Sequence, residues 1–217
     1  MVTSVPVTVP IRALSLSPGS HLLIENVSWE QYEALLEELG ENRLVPRINF
    51  CHNTLELMSP LPAHERPHRI MADIVKTLLD LQNRDWEDFG SSTFRKLKEA
   101  GLEPDTCFYI AHAEQMRKCE RFDPDRDPPP DLAIESDITS ATTLETYQTL
   151  QVPEVWIYTP NELIIHVLGP SGYRTTAQSP TFPSLTITKL VPQLIQEAKR
   201  IGTRQMLRQL RNQDQTQ

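Results

Sequence analysis

The chain has 217 residues, a net charge of −8, 18 prolines and only seven glycines. That length makes one domain, or one domain with a terminal extension, and it can bury a substantial core. The negative balance excludes a protein that coats nucleic acid non-specifically, which needs phosphate-facing Lys and Arg, but leaves room for a local basic cleft or a cluster of metal-binding carboxylates.

Residues 1–27 are polar and Pro-rich and read as a loose arm, with one edge strand around Val5–Val9. Residues 28–212 then form a single domain. Ser28 opens a helix, because Ser28 and Gln31 have capping-box spacing and Gly40 stops it. Trp29, Tyr32, Leu35, Leu36 and Leu39 give that helix one apolar face. Arg43–Phe50 and Thr54–Met58 read as two strands around a Cys51-His52-Asn53 turn. A longer helix spans about Arg66–Asn83, with Pro67 at its start and a stripe of Ile70, Met71, Ile74, Val75, Leu78 and Leu79.

Short strands follow near Ser92–Lys96, Thr106–Ala111 and Asp131–Asp137. The last is nearly continuously apolar, as a central buried strand should be. A short helix at Thr142–Leu150 leads to strands at Glu154–Tyr158, Glu162–Leu168 and Tyr173–Thr176. Leu190–Asn212 reads as one long amphipathic helix with Arg200, Arg204, Arg208 and Arg211 on its polar side. That side is either a solvated face or a surface for nucleic acid or a second copy. The order implies a mixed α+β (α/β) fold with a mixed sheet flanked by helices.

Two strands carry costly carboxylates. One begins Glu103-Pro104-Asp105-Thr106-Cys107-Phe108, the other Pro130-Asp131-Leu132-Ala133-Ile134-Glu135-Ser136-Asp137. Alternation puts Asp131, Ala133, Glu135 and Asp137 on one face and Leu132, Ile134 and Ser136 on the other. Carboxylates so placed need a cation. Oxygen-only donors suit Mg²⁺ or Mn²⁺ rather than zinc. Asp105, Glu135 and Asp137 are the candidate metal ligands, while Asp131 after its proline is better read as a strand-start residue. Glu56, between Leu55 and Leu57, is either a further metal ligand or the exposed face of a hairpin. His64 and His68 lack the HExxH pattern of a zinc pair, which leaves His64 a substrate-side or structural role.

There is no Gly-rich phosphate loop and no GxSxG elbow. The three cysteines have no CxxC spacing and read as reduced thiols. With neither a signal-peptide pattern nor a membrane-length apolar run, a cytoplasmic protein is expected.

Several segments together resemble one family, the Uma-type putative restriction endonucleases of the PD-(D/E)xK nuclease superfamily. They are Trp29–Glu33, Leu55–Pro60, His64–Arg66, Gly101–Asp105, Pro130–Glu135, Asp137–Ser140 and Val152–Trp156, in the family's order over about residues 28–210. The resemblance implies a restriction-endonuclease-like core and Mg²⁺-dependent (or Mn²⁺-dependent) hydrolysis of DNA phosphodiester bonds. It makes Asp105 the motif aspartate, Glu135 the motif glutamate and Glu56 an assisting acidic position. The motif lysine is absent. Asp137 stands two residues after the glutamate, and Thr143 stands four before Tyr147, where the family's helix usually carries it. Arg95, Lys96 and Lys98 on a neighbouring strand are the replacement candidates for a cation that would orient water and stabilise phosphate charge. The alternative is a catalytically inactive nuclease-fold protein that serves as a binding or assembly module. A two-fold homodimer would suit cutting both strands of a duplex.

Overall fold

The structure is a computed structural model, and it describes residues 10–40, 46–59, 62–120, 122–123, 126–136, 142–160 and 162–214. The expected strand at Val5–Val9 and the residues Arg43–Val45 lie outside these. Among the described residues, eleven strands form two sheets. The first sheet contains β1 (His21–Ile24), β2 (Arg47–Cys51), β3 (Thr54–Met58), β5 (Phe94–Lys96) and β6 (Ala100–Leu102), in the order β1-β3-β2-β6-β5, all antiparallel. The second contains β4 (Glu87–Asp88), β7 (Thr106–Tyr109), β8 (Leu132–Ser136), β9 (Glu154–Tyr158), β10 (Leu163–Gly169) and β11 (Gly172–Thr176), in the order β11-β10-β9-β8-β7-β4. It is mixed because β8 and β9 pair in parallel while its other pairs are antiparallel. A parallel pair needs a crossover, and helix α4 (Thr142–Thr149) lies on it.

Helix α1 (Trp29–Leu39) has the termini its sequence specifies. The Ser28 hydroxyl accepts from Gln31 N, the Gln31 side chain accepts from Ser28 N, and Gly40 ends the helix at a φ of 78°. Trp29 and Tyr32 pack on Ile48, Phe50, Leu55 and Leu57, the apolar faces of β2 and β3. His52 and Asn53 turn that hairpin with φ of 48° and 60°, as a tight two-residue connection requires.

Helix α2 (Pro62–Leu81) starts earlier than its apolar stripe suggests. Pro62 takes the first helical position, where its fixed φ and missing N–H are harmless. Pro67 falls in the second turn instead, where it gives up one backbone hydrogen bond. The stripe from Ile70 to Leu79 is buried against Phe108, Leu132, Ile134 and Trp156 of the second sheet. Helices α5 (Ile187–Ile201) and α6 (Thr203–Asp214) complete this layer. They replace the single tail helix expected from the sequence, because Gly202 takes a φ of 90° and ends α5. The opposite face of the sheet offers Cys107, Tyr109, Ala133, Val155 and Ile157 to Tyr147 of α4 and to Phe94, Leu102 and Met116.

Strands β1, β4 and β6 and the brief helix α3 (Ala113–Met116) were not expected. Strand β1 draws part of the N-terminal segment into the first sheet, where Leu23 lies opposite Glu56. Strand β6 matters most for the site. It ends at Leu102 in the first sheet, and β7 begins at Thr106 in the second. The chain therefore changes sheets across Glu103-Pro104-Asp105.

Candidate active site

Asp105 stands at this change of sheets, and Glu135 stands near the end of the adjacent antiparallel strand, β8. Both are buried, at 8% and 7% exposure, so neither is a surface carboxylate. Their strands bind them to one another. Asp105 N donates to Glu135 Oε2 at 3.3 Å, and Ser136 N donates to Asp105 Oδ2 at 2.6 Å. The expected pairing of these two acidic positions is thus formed by the register of β7 against β8.

The sequence did not mark the cation that meets them. Arg47, buried on β2, forms an ion pair with Asp105 Oδ1. Strand alternation explains the placement. Ile48 and Phe50 face the α1 core, so Arg47 and Asn49 face away from it, toward the site. His68 of α2 adds a second nitrogen, with Nδ1 3.7 Å from Asp105 Oδ2. The signal for Arg47 lay in the apolar alternation of β2, but nothing local names a partner far along the chain.

Tyr147 of α4 donates a short hydrogen bond to Glu135 Oε1. Burial pushes the Glu135 carboxyl up to about 7, against the opposing pull of the Tyr147 hydroxyl and the Arg47 charge, and with a further upward push from Glu56. Tyr147 itself is pushed well above its ordinary range, by burial first and then by Glu135. It is a neutral donor to that carboxylate.

Glu56 is buried, which excludes the exposed-hairpin alternative. It lies opposite Asn49 across the β2–β3 ladder and accepts from Asn49 Nδ2 at 3.3 Å. His21 Nδ1 of β1 lies 3.2 Å from its other oxygen. Asn49 continues the chain of contacts, its Oδ1 accepting from Glu103 N at 3.3 Å. The Glu103 carboxylate accepts from Ile48 N at 3.2 Å and from Thr93 Oγ1 at 2.8 Å. Glu56 is thus held within the first sheet and lies near enough to Glu135 to push its carboxyl upward, while Glu103 ties the segment before Asp105 to β2.

Other sequence candidates fall elsewhere. Asp131 accepts from Ile110 N at 2.7 Å and from His112 N at 3.2 Å, a structural role before β8. Asp137 lies outside the described residues, as do the side chains of His64 and Thr143. Arg95 pairs with Glu33 at 3.1 Å and Lys96 with Glu99 at 2.7 Å, both on β5 at the outer edge of the first sheet. Strand β6 separates that edge from β2. Cys107 lies beneath the site, but burial pushes its thiol well above the usual range and keeps it protonated.

The donor chemistry fits a hard divalent ion. Asp105 and Glu135 offer carboxylate oxygens from adjoining strands, with no thiolate available. Asp105 Oδ1 already faces the Arg47 guanidinium, and no group of three or more His, Cys, Asp or Glu stands preassembled around an ion among the described residues. The protein's share of a complete ligand shell would need the guanidinium to yield.

Residues 29–199 match the Uma2 family, described as "Putative restriction endonuclease". The chain belongs to this family. Among solved structures it is similar to the crystal structure of "a putative nuclease belonging to DUF820" from Anabaena variabilis, with a TM-score of 0.51. The two share 14% identity, and the likeness covers 77% of this chain and 98% of that one. At that identity the likeness speaks for the fold: a mixed α+β restriction-endonuclease-like architecture, as the sequence implied. No match is found among curated proteins. As a Uma2 member, the chain is nuclease-like in family and in fold, and the family match spans every described element of the site except His21. No helix among the described residues is long and apolar enough to cross a membrane.

Proposed function

We propose that this chain is a metal-dependent endonuclease, a hydrolase of DNA phosphodiester bonds, in which Asp105 and Glu135 hold Mg²⁺ or Mn²⁺. The observation that carries the reading is the buried Asp105–Glu135 pair, tied through Asp105 N to Glu135 Oε2 at 3.3 Å where the chain passes between sheets. Bound there, the ion would supply Lewis-acid polarisation of a phosphate oxygen and a lowered pKa for a water. Asp137, the third ligand expected from the sequence, belongs to the same proposal.

The chain's own residues do the rest. Ser136 N holds Asp105 Oδ2, and Tyr147 holds Glu135 Oε1, so both carboxylates keep one orientation. Preorganisation of this kind avoids reorganisation when charge develops on the substrate. With no ion bound, burial raises the Glu135 carboxyl to about 7, so near neutral pH a cation taken up there would displace a proton from it. Glu56, held by Asn49, contributes negative charge beside the pair. Two copies acting as a homodimer on duplex DNA in the cytoplasm complete the proposal.

The second reading is an inactive nuclease-fold protein used for binding or assembly. The Arg47–Asp105 ion pair favours it, because that guanidinium already neutralises the motif aspartate. Plasmid and single-stranded DNA incubated with Mg²⁺ or Mn²⁺ separate the two. The endonuclease reading expects cleavage by wild type and loss of cleavage in Asp105→Ala and Glu135→Ala. Intact DNA with folded wild type, or equal cleavage in both variants, would overturn it.

A further inference from the structure

We propose that Arg47 is an exchangeable cation: it neutralises Asp105 until a divalent ion takes that carboxylate, and then turns its guanidinium to the substrate phosphate. This rests on the metal reading above and assigns the missing basic half of the site.

The contacts of the two acids single out Arg47. Glu135 is held by Asp105 N and by Tyr147, and Asp105 Oδ2 is held by Ser136 N. The two amide donors are backbone groups, Ser136 N in β8 and Asp105 N one residue before β7, and the β7–β8 pairing holds both in place. Tyr147 is a rigid, fully packed ring of the core. Arg47 alone reaches the pair on a flexible stem, and it is the one buried Arg or Lys among the described residues. A divalent ion and a guanidinium on the same carboxylate repel one another, so each favours the other's departure.

The released group also has a destination. A planar guanidinium matches phosphate oxygens in a two-point contact, which a lysine ammonium does not. No lysine lies between Lys118 and Lys189, and Arg95 and Lys96 are committed to Glu33 and Glu99 at the sheet edge. Arg47 instead stands at the acidic pair. His68, 3.7 Å from Asp105 Oδ2, remains beside the aspartate when Arg47 turns away.

The test follows Arg47 and the ion directly. In ¹⁵N-labelled wild type, the Arg47 Nε–Hε resonance, assigned by its loss in Arg47→Lys, should move during Mg²⁺ titration. It should not move in Asp105→Ala. Mn²⁺ affinity, read by electron paramagnetic resonance, should be about tenfold tighter or more in Arg47→Met. That factor corresponds to breaking one charge-assisted hydrogen bond. A short phosphorothioate duplex should tighten Mn²⁺ binding more in wild type than in Arg47→Met, because only wild type adds the guanidinium–phosphate contact.

Equal Mn²⁺ affinity in wild type and Arg47→Met, with binding weakened in Asp105→Ala, overturns the exchange and leaves the metal site standing. Absence of Mn²⁺ binding in both wild type and Arg47→Met overturns the metal site and the exchange with it. If Arg47→Met does not fold, a wild-type Arg47 resonance that stays fixed through Mg²⁺ saturation overturns the exchange.

Discussion

Glu135 makes stability depend on pH in an unusual direction. Its carboxyl is raised in the folded chain from 4.5 to about 7, mainly because burial penalises the charged form. The folded state therefore binds this proton more tightly than the unfolded state does. Stability from this group is fully present below about pH 4.5 and is lost as pH rises through about 7. At about 1.4 kcal/mol per pH unit, that interval is worth about 3 kcal/mol. The figure is comparable to a large part of the total stability of a domain. Urea unfolding at several pH values between 4.5 and 8, in chelator, measures it in wild type and Glu135→Gln. The amide cannot titrate and leaves every other ionisable group in place, so the difference between the two curves isolates Glu135. Wild type should lose about 3 kcal/mol relative to the variant across this range. Parallel curves would refute the assignment of a raised carboxyl to this position.

Tyr147→Phe removes the hydrogen bond that lowers the Glu135 pKa, so the carboxyl should titrate above about 7, seen as a shifted midpoint in ¹³C-detected titration of that side chain. Gly101→Ala places a methyl group in the ring of Tyr32, which is fully buried and stacked on Phe50 at 4.9 Å. Overpacking there should cost about 1–3 kcal/mol in urea unfolding, with the helical far-ultraviolet signal retained. Glu154→Ala leaves Trp156 Nε1, Ser179 Oγ, Thr181 N and Thr181 Oγ1 without their buried acceptor. It should cost about 3 kcal/mol or more, since each stranded buried donor carries a penalty of about 1–3 kcal/mol. Glu154→Gln should recover part of that loss in the same unfolding experiment.

The sequence carried the parts of the fold that local physics determines. Ser28, Gln31 and Gly40 set the ends of α1 through hydrogen bonds a few residues apart. The alternation of Leu132, Ala133, Ile134 and Glu135 set the two faces of β8, and both faces are buried against the partners that alternation demands. Strand β1 was hidden because its four residues gain their order only from β3, more than thirty residues later. Strand β6 was hidden because three residues including Gly101 make no pattern, and its glycine is there to admit the Tyr32 ring. Arg47 was hidden for a related reason. Alternation shows which way its side chain leaves β2, but the approach of Asp105 depends on two sheets meeting at Glu103–Asp105. The site is thus half local and half tertiary: its acids are written in two strand motifs, and its cation appears only when the strands are assembled.

Whether Asp105 and Glu135 form one ion-binding site is measured most directly by calorimetric titration of Mn²⁺ into wild type, Asp105→Ala and Glu135→Ala. The account predicts saturable binding by wild type that is lost or strongly weakened in each variant while both remain folded. Mn²⁺ binding unchanged in either variant would contradict it, because the two carboxylates would then not share an ion.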